Sequence, residues 1–278
     1  MSDLVINPIV KRHIDAYIAH PPHAVLIYGK QSSGKKTLAA YLALGIKNSR
    51  THSTIMYIHP LEDKKTIGID QIKQLKVLLR TKSAAYRIII IPDADILTIE
   101  AQNNFLKLLE EPPENVLFIL TSSRLHGLLV TVRSRLLKIR YVPPTHAQEQ
   151  AFVSNMTSAD ANKYIAIADG RIGLLHALRN NDQSSDILQN IEQAKEILSE
   201  PFIDRLAKVD TLSKDATSLA TLLDALFLTC NAALTHSVTA GRSYTQWLNR
   251  LDAIESANTQ IQRNISAKLV LDRLFLVL

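Results

Sequence analysis

The sequence contains a single cysteine, Cys230, so neither a disulfide framework nor a cysteine-rich zinc site can be built from it. Aromatic residues are scarce at 5 %, with one tryptophan, and they are not interleaved with basic residues as on a platform for single-stranded nucleic acid. Long apolar stretches are missing as well. The strongest runs, Ile88–Ile91 and Leu219–Thr229, fall short of the ~20 residues of a membrane span. The start, Met1-Ser2-Asp3-Leu4-Val5, has no basic patch leading into an apolar stretch, so no secretory leader is expected. These absences point to a cytoplasmic location and no membrane partner. What remains is an ordinary globular composition, 46 % hydrophobic over 278 residues, with room for about two domains.

Acidic residues are under-represented in one half only. Residues 1–143 carry 20 Lys and Arg against 11 Asp and Glu, whereas residues 144–278 carry 12 against 15. A basic half permits contact with phosphate or nucleic acid, although a solvated basic surface reads the same way.

The hydrophobic pattern changes character at Pro143-Pro144. Before it, helical and strand-like stretches alternate. Residues 1–20 have helical spacing up to Pro21-Pro22, and Ala24–Tyr28 is a short strand entering a glycine-bounded turn. Helix Thr37–Ile46, strand Ile55–His59, helix Gly68–Thr81, strand Arg87–Ile91, helix Thr98–Glu110, strand Val116–Thr121 and strand Leu136–Val142 follow. Continuous β-branched runs such as Arg87–Ile91 mark strands buried on both faces, so this half is expected to be α/β with a parallel sheet. After Pro144 only helical periodicity is found, as in Ile187, Ile191, Ala194 and Ile197, with a polar break at Asn180–Ser185. The expected domains are 1–143, 144–180 and 181–278.

Gly29-Lys30-Gln31-Ser32-Ser33-Gly34-Lys35-Lys36 nearly matches the phosphate-loop pattern G-x-x-x-x-G-K-[ST], after a strand and at the start of a helix. Gly29, Gly34 and Lys35 supply inward-turning amides, a helix N-terminus and a phosphate-reaching lysine. The magnesium-binding hydroxyl is missing: Lys36 stands there, and Thr37 comes one residue late, turned by ~100° about the helix axis. The other magnesium anchor of such sites is an acid at the end of a buried strand. Here Ile88–Ile91 runs into Pro92, with Asp93 displaced by one residue. No metal site is therefore expected. No cofactor is required; weak binding of ATP or ADP without magnesium-dependent hydrolysis is the expectation, with an empty turn and an active ATPase as the alternatives.

The segment Thr98–Pro113, containing Asn103, Leu106-Lys107 and Leu108-Leu109-Glu110-Glu111-Pro112-Pro113, resembles the N-A-L-L-K-x-L-E-E-P-P helix of AAA+ sliding-clamp loaders. Thr131-Val132-Arg133-Ser134-Arg135-Leu136 is similar to that family's T-[IL]-x-S-R-C motif, and Val116–Ser123 to its sensor-1 strand. His23–Leu26, Ile67–Ile72 and, more weakly, Asn264–Leu271 match as well. The resemblance implies a RecA-like AAA+ phosphate-loop domain with a parallel sheet, then a small helical lid and an all-helical collar for oligomerisation.

The departures select a branch of the family. Pro92 falls where the family has its magnesium-binding Asp, Gly173 where hydrolysing members carry a sensor-2 Arg, and Lys36 replaces the loop hydroxyl. These losses resemble the non-hydrolysing delta-prime, or stator, branch of DNA polymerase III clamp loaders. Two features are atypical for it: Leu136 replaces a Cys, and a four-cysteine zinc module is absent. The resemblance implies gamma/tau and delta loader subunits as partners in a hetero-oligomeric ring, with the sliding clamp and primed DNA reached through the complex. It also gives Ser134-Arg135 a role as an arginine finger acting on a neighbour's ATP site. An ordinary surface ion pair is the competing reading of Arg135, and Arg133 is a local competitor for the role. His23 and His59 read as turn residues, and Lys107, Glu110 and Glu111 as a solvated helix face. A gamma-type active ATPase and an independent basic DNA-binding module remain the alternative functions.

Overall fold

The computed structural model describes residues 4–50, 52–62, 64–81, 83–182, 186–263 and 265–278. Residues 1–3 of the first expected helix, residues 183–185 of the expected polar break, and Asn264 lie outside the described residues. The chain divides into two compact units, Met1–His146 and Ala147–Leu278.

The first unit is built on a five-stranded, all-parallel sheet in the order β2-β3-β4-β1-β5. Its strands are β1 (Ala24–Tyr28), β2 (Ser53–Tyr57), β3 (Tyr86–Ile91), β4 (Val116–Ser122) and β5 (Leu137–Arg140). The order explains the pattern of burial. β4 is buried along its whole length and β1 along all but its last residue, because both lie inside the sheet and are covered on both faces. The edge strands β2 and β5 bury only alternate or partial sets of residues.

The helices of this unit are α1 (Pro8–Ala19), α2 (Lys35–Asn48), α3 (Ile69–Arg80), α4 (Ile99–Glu110) and the four-residue α5 (Val130–Arg133). One core layer sets Leu38, Leu42 and Ile46 of α2 and Ile14 of α1 against Val25, Ile88, Ile90 and Ile119. The other sets Ile72, Leu75 and Leu79 of α3 and Phe105, Leu108 and Leu109 of α4 against Leu26, Ile89, Ile91 and Phe118. Strand residues of successive parity thus serve opposite faces. The rings of Phe105 and Phe118 meet edge-on at 5.1 Å in the second layer. The Asn7 side chain caps α1 by accepting from the Ile9 amide and donates from its Nδ2 to the Pro143 carbonyl at 2.7 Å, which ties the end of this unit back to its start.

Boundaries shift from the sequence reading where partners run out. The second strand occupies Ser53–Tyr57 instead of Ile55–His59, because its register with β3 pairs Ser53 with Tyr86 and Tyr57 with Ile90. His59 has left the ladder; its ring stacks on Tyr57 and its carbonyl accepts from Gln71 Nε2 at 2.7 Å. β5 is shorter than Leu136–Val142 because Leu136 turns into the core beneath α4, and β1 offers partners only from Val25 to Tyr28. α2 begins at Lys35, ahead of Thr37, since Gly34 in the left-handed region (φ 90°) already caps it.

The described residues of the second unit are helical. They form α6 (His146–Phe152, starting at the unit boundary), α7 (Ser158–Ala168), α8 (Ile172–Asn180), α9 (Asp186–Ser199), α10 (Phe202–Ala207), α11 (Val209–Leu212), α12 (Ala216–Thr239), α13 (Thr245–Gln262) and α14 (Ala267–Phe275). α12 is the central element and packs against α7, α9 and α13. By length and composition alone its segment Ser218–Thr239 passes as a membrane span, longer than the run read from the sequence. Its buried Leu219, Leu222, Leu223, Leu226 and Cys230 are those of a core helix. Arg171, at the start of α8, is buried and makes a two-pronged ion pair with Asp224 of α12, so residues 144–180 and 181–278 share one packed interior.

Candidate functional site

In an all-parallel sheet the C-terminal ends of the strands lie on one side, where connections leave for the helices. The loop Gly29–Gly34 follows β1 there. Gly29 packs so closely on Tyr141, which follows β5, that a Cβ at residue 29 would lie 2.8 Å from the Tyr141 Cβ. The Gly29 amide donates to the Ser122 carbonyl at the end of β4. Ser32 (φ 56°) and Gly34 (φ 90°) both adopt left-handed backbone, which curls the loop onto the start of α2. The buried Lys35 turns back into the loop, its Nζ donating to the Lys30 carbonyl and lying 3.5 Å from Ser33 Oγ.

Lys36 and Thr37, by contrast, point to solvent. The Lys36 ammonium lies 2.6 Å from the Asp93 carboxylate. Asp93 comes just after β3 and buried Pro92, in left-handed backbone (φ 51°), and its amide donates to Thr121 Oγ1 at 3.0 Å. The next acid, Asp95, is committed elsewhere. Its carboxylate, 5 % exposed, accepts from the Ser123 amide and from Arg124 Nε, both at 3.2 Å, and so clasps the loop after β4.

The other candidate residues lie at the opposite end of the sheet. β5 runs parallel to β1, with Leu137 opposite Val25 and Arg140 opposite Tyr28. Arg135 therefore lies beyond the N-terminal end of the strands, and Gly29 beyond the C-terminal end. β1 alone separates those ends by roughly 13 Å. Buried Gln102 of α4 sets the segment in place: its Nε2 donates to the Leu97 and Gly127 carbonyls, and its Oε1 accepts from the Leu129 amide at 2.7 Å. Leu128, Val132 and Leu136 anchor the segment in the core.

Ser134 and Arg135 project from that anchor. Ser134 Oγ donates to the Thr131 carbonyl at 2.9 Å. Arg135 donates to the same carbonyl through Nη1 and pairs with Glu110 of α4 through Nη2 at 2.7 Å. Arg133 is half-buried, and its Nε is enclosed without a hydrogen-bond partner among the described residues. The same end of the sheet holds a cleft of about 680 Å³ lined by Lys76, Arg80, Arg87, Lys107, Glu110 and Glu111, among others.

Comparison with known proteins fits this geometry. The model of the family described as DNA polymerase III, delta subunit, matches residues 44–145. The chain is 31 % identical over 108 residues to DNA polymerase III subunit delta' of Yersinia pestis, covering 38 % of this chain and 32 % of that protein. It is 27 % identical over 220 residues to DNA polymerase III subunit tau of Bacillus subtilis, covering 67 % of this chain and 38 % of that protein. Over part of its length the chain is thus similar to clamp-loader subunits. It spans well under two thirds of the length of these two relatives. The fold extends further than the sequence identity. The crystal structure of a DNA polymerase III gamma subunit-related protein from Thermotoga maritima superposes with a TM-score of 0.53 at 19 % identity, covering 96 % of this chain and 97 % of that one. The architecture is accordingly a RecA-like AAA+ domain followed by a helical part.

At the loop end of the sheet the charges differ from those of a magnesium–nucleotide site. An AAA+ fold implies nucleotide with magnesium, and the residues present do not fit the ion. Magnesium wants oxygen ligands in near-octahedral array at about 2.1 Å. The loop position that should offer a hydroxyl offers an ammonium, the strand end offers Pro92, and Asp93 already has Lys36 as its counter-ion. In the helical unit, Gly173 has no side chain to offer, and the nearby Arg171 guanidinium is locked on Asp224. Thr121, Asp95, Gln102 and Glu110 were not singled out as partners in the sequence reading. Asp93 is visible in the sequence as a displaced acid, but its pairing with Lys36 is not.

Proposed function

We propose that this chain is a non-hydrolysing, delta-prime-type subunit of a bacterial DNA polymerase III clamp loader. In this role it helps to load the sliding clamp onto primed DNA, in a ring with gamma/tau- and delta-type subunits, in the cytoplasm. The observation that carries the reading is the Lys36–Asp93 ion pair, made from the helix position at which phosphate loops present a magnesium-binding hydroxyl. The loop keeps its glycines and Lys35, so it retains weak affinity for ATP or ADP, but the means to position magnesium are gone. Residues 144–180 serve as the lid and residues 181–278 as the collar through which the ring assembles. The exposed Ile203, Leu269, Leu276 and Val277 of the collar support an interface there. Arg135 and Ser134 face away from their own loop, and Arg135 acts in trans on the ATP site of a neighbouring subunit.

The test is steady-state phosphate release by the purified chain at saturating ATP and Mg²⁺. No turnover above background is expected. Magnesium-dependent turnover that disappears in Lys35→Ala would show instead an active, gamma-type ATPase.

A further inference from the structure

We propose that the Lys36 ammonium, held on Asp93, is the resident cation of the phosphate loop and shuts the loop to divalent ions. The proposal rests on reading Gly29–Lys36 as a nucleotide loop that has lost hydrolysis. It goes beyond that reading, because a loop can stop hydrolysing and still bind magnesium with its nucleotide.

Three observations carry it. The Lys36 side chain leaves the first turn of α2 from the position that normally presents the magnesium hydroxyl, and its Nζ reaches Asp93 Oδ2 at 2.6 Å. A protonated amine has three donors and no lone pair, so it takes up a carboxylate that a metal would need and offers no ligand in return. Asp93 is fixed from the other side. Its left-handed backbone and the bond from its amide to Thr121 Oγ1 set it between the end of β3 and the end of β4, facing α2. The second acid at this strand end, Asp95, is turned away onto the Ser123 amide and Arg124. A divalent ion entering here with its nucleotide would have to displace the Lys36 ammonium from Asp93, since Asp95 is already engaged by Ser123 and Arg124. The loop thus carries its compensating positive charge in its own sequence.

The experiment measures ATP binding to the full chain by calorimetry and by the shift in melting temperature, in EDTA and in Mg²⁺, with Mn²⁺ binding followed by electron paramagnetic resonance. Wild type, Lys36→Thr and Lys36→Thr/Asp93→Asn are compared. Lys36 is 64 % exposed, so these variants are expected to fold. The wild type should respond to ATP equally with and without Mg²⁺ and should bind no Mn²⁺ beyond that held by free nucleotide. Lys36→Thr should gain magnesium dependence, with ATP about ten-fold tighter in Mg²⁺, and the added Asp93→Asn should remove it. An ATP response of the wild type that requires Mg²⁺ would overturn the proposal. So would a Lys36→Thr chain indifferent to Mg²⁺, since Lys36 would then not be what excludes the ion. Phosphate release from the same samples separates the two ideas. Turnover by the wild type defeats the non-hydrolysing reading, whereas a magnesium effect without turnover defeats this inference alone.

Discussion

Two ion pairs of nearly equal length lie at opposite ends of the same parallel sheet. Lys36 meets Asp93 at 2.6 Å with side chains 64 % and 34 % exposed; Arg135 meets Glu110 at 2.7 Å with side chains 37 % and 48 % exposed. As contributions to stability they are alike, each worth about 0–1 kcal/mol for a pair so open to water. They differ in what the cation is free to do. Lys36 stands on the first turn of α2 and reaches across to Asp93 after β3, where the proposed exclusion of a metal would act. Arg135 stands on a short segment pinned by Gln102, Leu128, Val132 and Leu136, and its partly exposed guanidinium rests on Glu110 and the Thr131 carbonyl at the rim of the sheet. Nearly equal contact distances therefore accompany opposite proposed roles. The surroundings of the cation decide the outcome, and those surroundings come from the direction of the strands.

The largest effect expected from breaking this comparison is at Arg135. In an assembled loader, Arg135→Ala should lower the DNA- and clamp-stimulated ATPase at the neighbouring site on the scale of arginine fingers, on the order of 10³-fold. Arg133→Ala should lose far less. Stability of the isolated chain should change by no more than about 0.5 kcal/mol. Assembly has to be verified by solution mass first, because a ring that fails to form gives the same loss. An intact ring with unchanged hydrolysis would reduce Arg135–Glu110 to a surface pair and erase the contrast with Lys36.

A third pair tests the claim that exposure sets the energetic scale. Arg171 and Asp224 form a two-pronged contact with the arginine 3 % exposed. Arg171→Ala removes a buried guanidinium and leaves Asp224, 31 % exposed, without its partner; it should cost about 2 kcal/mol, since water can reach the remaining carboxylate. The single tryptophan, Trp247 of α13, belongs to that unit and reports its unfolding in urea. A loss below 1 kcal/mol would mean that burial does not distinguish this pair from the two at the sheet ends.

The interior of the helical unit has a further titratable group to set against those exposed ones. Burial pushes the Cys230 thiol up to about 11. At pH 8 its thiolate fraction should be about 100-fold below that of an unfolded chain, so a disulfide reagent should modify it slowly until urea is added. The sign for stability follows from linkage. Below about pH 7.5 both folded and unfolded thiols keep their proton, the unperturbed value being 9.0, and nothing changes. As pH rises from there through 11 only the unfolded form ionises, so stability falls across that window. Rapid modification of the native chain at pH 8 would show the thiol to be open to solvent.

The sequence made some of these features legible and hid others for physical reasons. Strands β1, β3 and β4 could be read because a strand covered on both faces is a continuous apolar run, as in Ile88–Ile91. The edge strands slipped by one or two residues because their ends depend on a partner's register, which a local pattern does not contain. The phosphate loop was visible as a motif, and so was the loss of its hydroxyl. That Lys36 would be placed on Asp93, and that Asp95 would turn to Arg124, depends on connections between β1, β3 and β4 and could not be read from spacing. Glu110 was read as part of a solvated helix face. It is solvated, yet it also holds Arg135, since α4 ends beside the segment that enters β5. In the helical half periodicity marked the class and stretches such as Ile187–Ile197, but the Arg171–Asp224 clasp joins residues 53 apart in sequence and leaves no local mark.

The smallest effect expected is the most specific to the comparison. If the Arg135–Glu110 pair holds the guanidinium against its own subunit, the arginine has to leave Glu110 before it can serve a phosphate across an interface. A carboxylate kept at 2.7 Å would also oppose the negative charge that the arginine is meant to stabilise. Glu110→Gln keeps the size of the side chain and its ability to accept a hydrogen bond while removing the charge. An exposed pair contributes at most about 1 kcal/mol, so its removal should raise finger-dependent turnover of the assembled loader by no more than about five-fold. The rise should shrink at high salt, where the wild-type pair is itself screened. Arg135→Ala/Glu110→Gln should behave as Arg135→Ala alone, because Glu110 acts only through the arginine. A fall in turnover toward the Arg135→Ala level would mean that Glu110 aims the guanidinium and does not restrain it, and the two ends of the sheet would then share a single design in which an acid positions a cation.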